Sequence, residues 1–185
     1  MKPDERLETA RLVLRAPEPE DADAIFAYAS DPKVTRFLSW PRHTSIDATK
    51  AFLAHAAAEW ARSPVGPLVI VARAGGEVIG STGLGFDTPS RATTGYVLAR
   101  PHWGKGFASE ALAAVVELAA REGVQQLDAL CHVDHPASAR VLERCGFTFE
   151  GVLGKHLVFP NLEDRTAQDV RCYTRYREDR GSGSQ

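Results

Sequence analysis

The stretch from Tyr96 to Ala111 limits what this chain can fold into more than any other. Thr94 to Leu98 has the composition of a strand, a turn carrying Gly104 and Gly106 follows, and an alanine-rich helix then extends to about Glu122, where Gly123 is placed to cap it. Glycine tolerates backbone conformations closed to other residues and lets a ligand approach the main chain. The unpaired N–H groups at the start of the helix then suit a pyrophosphate. A plain connecting turn is the simpler alternative. A dinucleotide-binding turn is the third, because Gly104-x-Gly106-x-x-Ser109 nearly matches G-x-G-x-x-G. That reading fits the surroundings poorly. Two helices and a hairpin come first, and Asp134, the acid after the next strand, lies farther from Gly104 than the usual ~20 residues. A P-loop is excluded, since Lys105 lacks the Gly-Lys-Ser/Thr spacing.

The rest of the chain supplies matching elements. Leu12-Val13-Leu14 reads as a strand closed by Pro17. Pro19 to Asp23 opens a helix with Ala22, Ile25, Phe26 and Ala29 at helical spacing, and Asp31-Pro32 stops it. A second helix begins near Ser45, with Ala48, Phe52, Leu53, Ala56 and Trp60 along one face, and ends at Ser63-Pro64. Pro67 to Arg73 and Glu77 to Phe86 form a hairpin through Gly75-Gly76. Leu127 to Val133 is a strand, Pro136 to Arg144 a short helix, and Phe147 to Val152 and Ala167 to Tyr176 the last two strands. Helices interspersed with strands and hairpins predict one mixed α/β (α+β) layer fold. The chain has 185 residues, which fills one core and is short for two domains. The domain is expected over residues 1–176, with 177–185 a charged, then Gly/Ser-rich disordered tail.

Composition removes several functions. The net charge of −2 gives no basic excess for nucleic acid, and no apolar run approaches a membrane span or signal peptide. Cys131, Cys145 and Cys172 form no C-x-x-C pair, which speaks against a disulfide scaffold and for a reducing, cytoplasmic setting. Cys131, His132, Asp134 and His135 invite a metal reading. Neighbours on a strand point to opposite faces, so Cys131 and His132 diverge and no metal site is expected.

A second constellation, His135-Pro136-Ala137-Ser138 followed by Cys145-Gly146-Phe147, gives the glycine turn its meaning. Together the two resemble the GNAT (Gcn5-related N-acetyltransferase) superfamily, and within it the RimJ/RimL-type ribosomal-protein-alanine acetyltransferases. The R/Q-x-x-G-x-G/A signature corresponds to Trp103-x-x-Gly106-x-Ala108, and N-x-x-S…G-F to His135-x-x-Ser138…Gly146-Phe147. Leu12 to Arg15, Glu20-Asp21-Ala22, Trp40-Pro41 and Ser45 ahead of Phe52-Leu53 also resemble that branch, so the likeness covers nearly the whole chain. It implies a single-domain GNAT fold: a mostly antiparallel central sheet of about seven strands flanked by helices. It also implies acetyl-CoA as cosubstrate, held by Tyr96, Val97 and Leu98 at the end of a splayed strand, by Trp103, Gly104, Lys105, Gly106, Phe107, Ala108 and Ser109 in the loop, and by His135 and Ser138. Trp103 and His135 depart from the family pattern, replacing Arg or Gln and Asn.

The implied reaction is direct attack of a primary amine on the thioester. The acceptor is a small-molecule amine or a protein N-terminus, and a homodimer is compatible with the family. Many members carry a proton-donating Tyr where this chain has Leu142, while Ser138 corresponds to the donor proposed for the RimL-type branch. Ser138 is equally readable as a first-turn helix cap. His156, Glu150, Asp134 and Glu77 are the candidate bases, none distinguished from a surface charge. Trp40, His43 and Trp60 border the expected acceptor pocket, although the helical phase of Trp60 favours core packing. The missing Tyr and the His135 change leave a second function open, a catalytically silent acyl-CoA sensor on the same fold.

Overall fold

The computed structural model describes residues 1–177, so most of the tail expected at 177–185 lies outside the described residues. Strands β1 (Leu7–Glu8) and β2 (Leu12–Arg15) lead to helices α1 (Ala22–Ala29), α2 (Pro32–Thr35) and α3 (Ile46–Arg62). Strands β3 (Leu68–Ala72), β4 (Val78–Thr88) and β5 (Arg91–Leu98) follow, then α4 (Phe107–Arg121), β6 (Gln126–His132), α5 (Pro136–Arg144), β7 (Thr148–Val158) and β8 (Ala167–Tyr176). All eight strands form one sheet in the order β1-β2-β3-β4-β5-β6-β8-β7. Every neighbouring pair is antiparallel except β5 and β6.

The sheet separates two cores. On β3 all five residues are buried, and they alternate. Leu68 and Ile70 join Leu112, Val115 and Leu118 of α4, whereas Val69 and Val71 join Ile25, Tyr28 and Ala29 of α1. A strand covered on both faces reads as an unbroken apolar run, which is how Leu68 to Ala72 appears in the sequence. Helices α4 and α5 therefore cover one face and α1 the other.

Three expectations change in detail. The sheet has eight strands rather than about seven, because Leu7 and Glu8 pair with Leu14 and Val13 beyond the Thr9–Leu12 turn. Asp31-Pro32 ends α1 but also starts α2: the Asp31 carboxylate accepts the Lys33 N–H at 2.8 Å, and proline is favoured at a first helical position. Strand β7 runs on to Val158, well past Val152, with register breaks at Phe149/Gly151 and Leu153/Leu157. Bulges of this kind hide a strand from a strict period-two pattern.

Candidate active site

Strands β5 and β6 pair only from Arg91–Gln126 to Thr93–Asp128, while β5 continues to Leu98 and β6 to His132. Their ends splay and leave a slot in the middle of the sheet. On its far side β5 keeps its ladder to β4, where Gly80 lies so close that a Cβ would sit 2.1 Å from the Val97 carbonyl oxygen. Glycine at 80 is thus a condition for the close β4–β5 contact at the mouth of the slot.

The slot ends at the glycine loop. Gly104 and Gly106 have φ of +72° and +81°, values that L side chains rarely adopt. Among the described residues, the N–H groups of Gly104, Lys105, Gly106, Phe107, Ala108 and Ser109 donate no hydrogen bond, while the first turn of α4 closes with the Glu110 N–H on the Gly106 carbonyl at 3.1 Å. A row of unpaired amides at the N-terminus of a long helix fits an anion carried by a cofactor. Trp103 turns its indole N–H back to the Leu98 carbonyl at 2.8 Å and leaves its ring half-exposed. It joins loop to strand, and adds no charge there. Lys105 is exposed.

The loop is held from behind by residues that sequence reading did not single out. Arg11, in the turn between β1 and β2, donates from Nη1 to the Lys105 carbonyl at 2.9 Å and from Nε to Glu110 Oε2 at 2.6 Å. Its guanidinium lies 4.5 Å from the Phe107 ring centre. Glu110 Oε1 also accepts from the Thr9 hydroxyl at 2.6 Å and the Arg11 N–H at 2.8 Å. Burial alone pushes the Glu110 carboxyl up, but these bonds from Thr9 and Arg11 outweigh it and hold it below its ordinary range.

On the α4–α5 face, Tyr96 donates its hydroxyl to Ser138 Oγ at 3.3 Å, across the slot. Burial pushes the Tyr96 phenol up to about 12, so it stays protonated. Ser138 lies in the first turn of α5, its own N–H on the His135 carbonyl at 3.1 Å, and its hydroxyl is spent on Tyr96 rather than on capping the helix. Cys131 lies buried on the same face, where burial raises its thiol to about 11, an unreactive state. Cys145 is partly buried against the core, with its sulfur 3.4 Å from the Ser109 carbonyl.

The opposite face is aromatic. Phe37, just after α2, stacks on His132 at 4.7 Å and lies 5.1 Å from His135, and Phe159 meets the His132 ring edge-on at 4.9 Å. His132 Nδ1 accepts the Asp134 N–H at 3.0 Å, so the neutral ring carries its proton on Nε2, which is buried and without a partner among the described residues. Burial, helped by the neighbouring His132, lowers the pKa of His135. Asn161 ties this wall together: its amide donates to the Thr35 and Trp40 carbonyls at 2.8 and 2.9 Å, and its oxygen accepts the Arg42 N–H at 2.7 Å. Trp40 and His43 sit beside it, in tilted contact at 5.4 Å. Trp60 instead packs on the α4-side core and bonds the Pro67 carbonyl, as its helical phase predicts.

Of the four candidate bases, Asp134 alone lies beside this wall, its carboxylate 3.9 Å from His132 Nδ1. Glu150 and His156 are exposed on β7, which β8 separates from β6, and His156 falls within the Leu153/Leu157 register break. The Asp134 side chain is exposed, and Glu77 contacts His102 at 3.4 Å in the β3–β4 region. Among the described residues no group of three or more His, Cys, Asp or Glu side chains has a metal-holding arrangement. No helix there is long and apolar enough to cross a membrane.

A splayed central sheet with an amide-rich loop at the head of the following helix defines an acyltransferase fold. The chain belongs to the GNAT acetyltransferase family: the family's acetyltransferase (GNAT) domain matches residues 11–148. It is 33% identical over 173 residues to the uncharacterized N-acetyltransferase YoaA of Bacillus subtilis, covering 91% of this chain and 94% of that protein. Its structure is similar to RimL, a ribosomal α-N-protein acetyltransferase solved with coenzyme A, at a TM-score of 0.80 and 25% identity over 93% of this chain and 98% of that one. It also shares its fold with the microcin self-immunity acetyltransferase MccE, solved with acetyl-CoA and AMP, at a TM-score of 0.80 and 20% identity over 91% and 94% of the two chains.

Proposed function

We propose that this protein transfers the acetyl group of acetyl-CoA directly to a primary amine, either a protein or peptide N-terminus or a small-molecule amine. The observation that carries this is the slot between β5 and β6, leading to six free loop amides at one end and passing between Ser138 and the His132 wall at the other. In this reading the N–H groups from Gly104 to Ser109 hold the pyrophosphate, and the edge of Tyr96 to Leu98 that β6 leaves uncovered holds the pantetheine arm. Acetyl-CoA supplies an acyl carbon activated as a thioester and a thiol as leaving group.

The residues then divide the proton work. Tyr96 donates to Ser138 Oγ and the serine gives its own hydroxyl proton to the departing sulfur, so Ser138 acts as general acid through a two-member relay. An α-amino group, with pKa ~7.7–8.0, needs far less help from a base than a lysine at ~10.4, so a dedicated buried carboxylate is not required for an N-terminal acceptor. His156, exposed on β7 with β8 between it and β6, is assigned no part in taking up that proton. The aromatic wall of Phe37, His132 and Phe159 borders the acceptor side. The domain of residues 1–176 acts without metal, nucleic acid or membrane, in the cytoplasm, and a homodimer is compatible with it.

The test follows free thiol released from acetyl-CoA against a panel of peptides with free N-termini, polyamines and aminoglycosides. Turnover with at least one amine is expected. Binding of CoA without turnover of any amine would leave the sensor function in its place. Calorimetry showing no CoA binding at millimolar ligand would remove both.

A further inference from the structure

We propose that Arg11 is a positioning residue for the CoA loop: it locks the Lys105–Gly106 peptide so that the Gly106 N–H faces the pyrophosphate. This rests on the assignment of acetyl-CoA to the loop. No peptide bond among the described residues is cis, and in a trans peptide the carbonyl and the following N–H point in opposite directions. Arg11 Nη1 binds the Lys105 carbonyl at 2.9 Å and so fixes the Gly106 N–H on the other side. The lock has a purpose, because Gly106 at φ +81° has no side chain to resist rotation of that peptide plane. A flipped peptide would turn an oxygen, instead of an amide, toward the anion. Arg11 Nη2 lies 3.3 Å from where a Gly106 Cβ would be, and the Phe107 ring supports the guanidinium from one face.

Arg11 has a second effect on the same loop. Glu110 stands in the first turn of α4, where an unpaired carboxylate would repel a pyrophosphate. The Nε bond at 2.6 Å, the Thr9 hydroxyl bond and the Arg11 backbone bond engage both of its oxygens. Trp103 stands where the family pattern carries a charged or amide side chain, and Arg11 delivers a cation to the loop from the other end of the chain. Only the planar fork of arginine reaches Glu110 and the Lys105 carbonyl at once; a lysine ammonium can keep the ion pair but not both.

The experiment uses the full chain as wild type, Arg11→Lys and Arg11→Ala. Affinity for CoA and for pantetheine, which lacks the diphosphate, is measured by calorimetry, alongside melting temperature. Arg11→Lys is expected to melt close to wild type yet bind CoA roughly tenfold more weakly, the size of one hydrogen bond to a charged group, with pantetheine affinity unchanged. Arg11→Ala is expected to lose more CoA affinity than Arg11→Lys. Equal CoA affinity in wild type and Arg11→Lys overturns the lock, as does an equal loss for CoA and pantetheine, which marks a merely structural role. A wild-type protein that binds no CoA fails at the cofactor assignment itself, a result distinct from either.

Discussion

The two ends of the slot are built on opposite plans. The end proposed to hold CoA is made by contiguous residues, Trp103 to Ser109, and presents unpaired main-chain amides in a loop shaped by the glycines at 104 and 106. The end proposed to take the acceptor is made by side chains from separate segments: Phe37 after α2, His132 on β6, His135 at the start of α5, and Phe159 and Asn161 in the β7–β8 connection. In that reading a backbone cradle for a constant ligand tolerates substitution of its side chains, which accommodates Trp103 in place of the family residue. The same reading puts selectivity for an acceptor in the wall of side chains, where single substitutions change it.

Substitutions at the two ends should therefore separate kinetically. The largest effect is expected from Gly106→Val: a β-branched residue at φ +81° is strained, and the loop must rearrange. Losing two or more amide–phosphate bonds weakens CoA binding roughly a hundredfold or more. Unchanged CoA affinity in a folded Gly106→Val protein, measured by calorimetry, would falsify the cradle.

Next comes Ser138→Ala, expected to lower kcat about tenfold to a hundredfold, the low end for general acid catalysis, with acetyl-CoA affinity nearly unchanged. Tyr96→Phe should produce a smaller drop of the same kind, because Ser138 keeps its own proton. Steady-state kinetics decides this: wild-type kcat in both variants removes the relay. At the acceptor end, Phe37→Ala should raise KM for the amine several-fold and leave KM for acetyl-CoA untouched. Equal changes in both constants would mean that the two ends are not independent.

The smallest effect concerns pH. His43 and His135 have pKa values lowered by burial below the ordinary 6.5. The unfolded chain therefore binds more protons than the native state in the window just below 6.5, so stability falls as pH drops through it. Melting temperature should decline on acidification from about pH 7, and His135→Asn should flatten part of that decline. Glu110 and Asp128, held below their ordinary 4.5 and 3.8, contribute stability that is lost only at lower pH. A melting temperature flat from pH 7 to about 5 would contradict the histidine assignment.

How far each end was legible follows from its construction. The strand–turn–helix run, the positive-φ glycines, α3, α4 and α5 are local events: helical phase, a proline at a first position and a glycine at a turn act within a few residues. Together with the two spaced motifs they were enough for the fold class, and they marked the loop proposed to hold the cofactor. Arg11 and Glu110 lie 99 residues apart in the chain, and Asn161 is 121 from Trp40. No local pattern links such pairs, since only the closing of the sheet brings β2 beside the head of α4 and the β7–β8 connection against α2. The same holds for Ser138. By sequence a hydroxyl in a first helical turn is equally a cap or a proton donor; it is the pairing with Tyr96, from a strand 42 residues earlier, that takes it away from the helix end. His132 shows the limit most clearly, because strand alternation separates it from Cys131, but the face it turns to and the bond that places its proton on Nε2 exist only once Phe37, Phe159 and the Asp134 turn are packed around it.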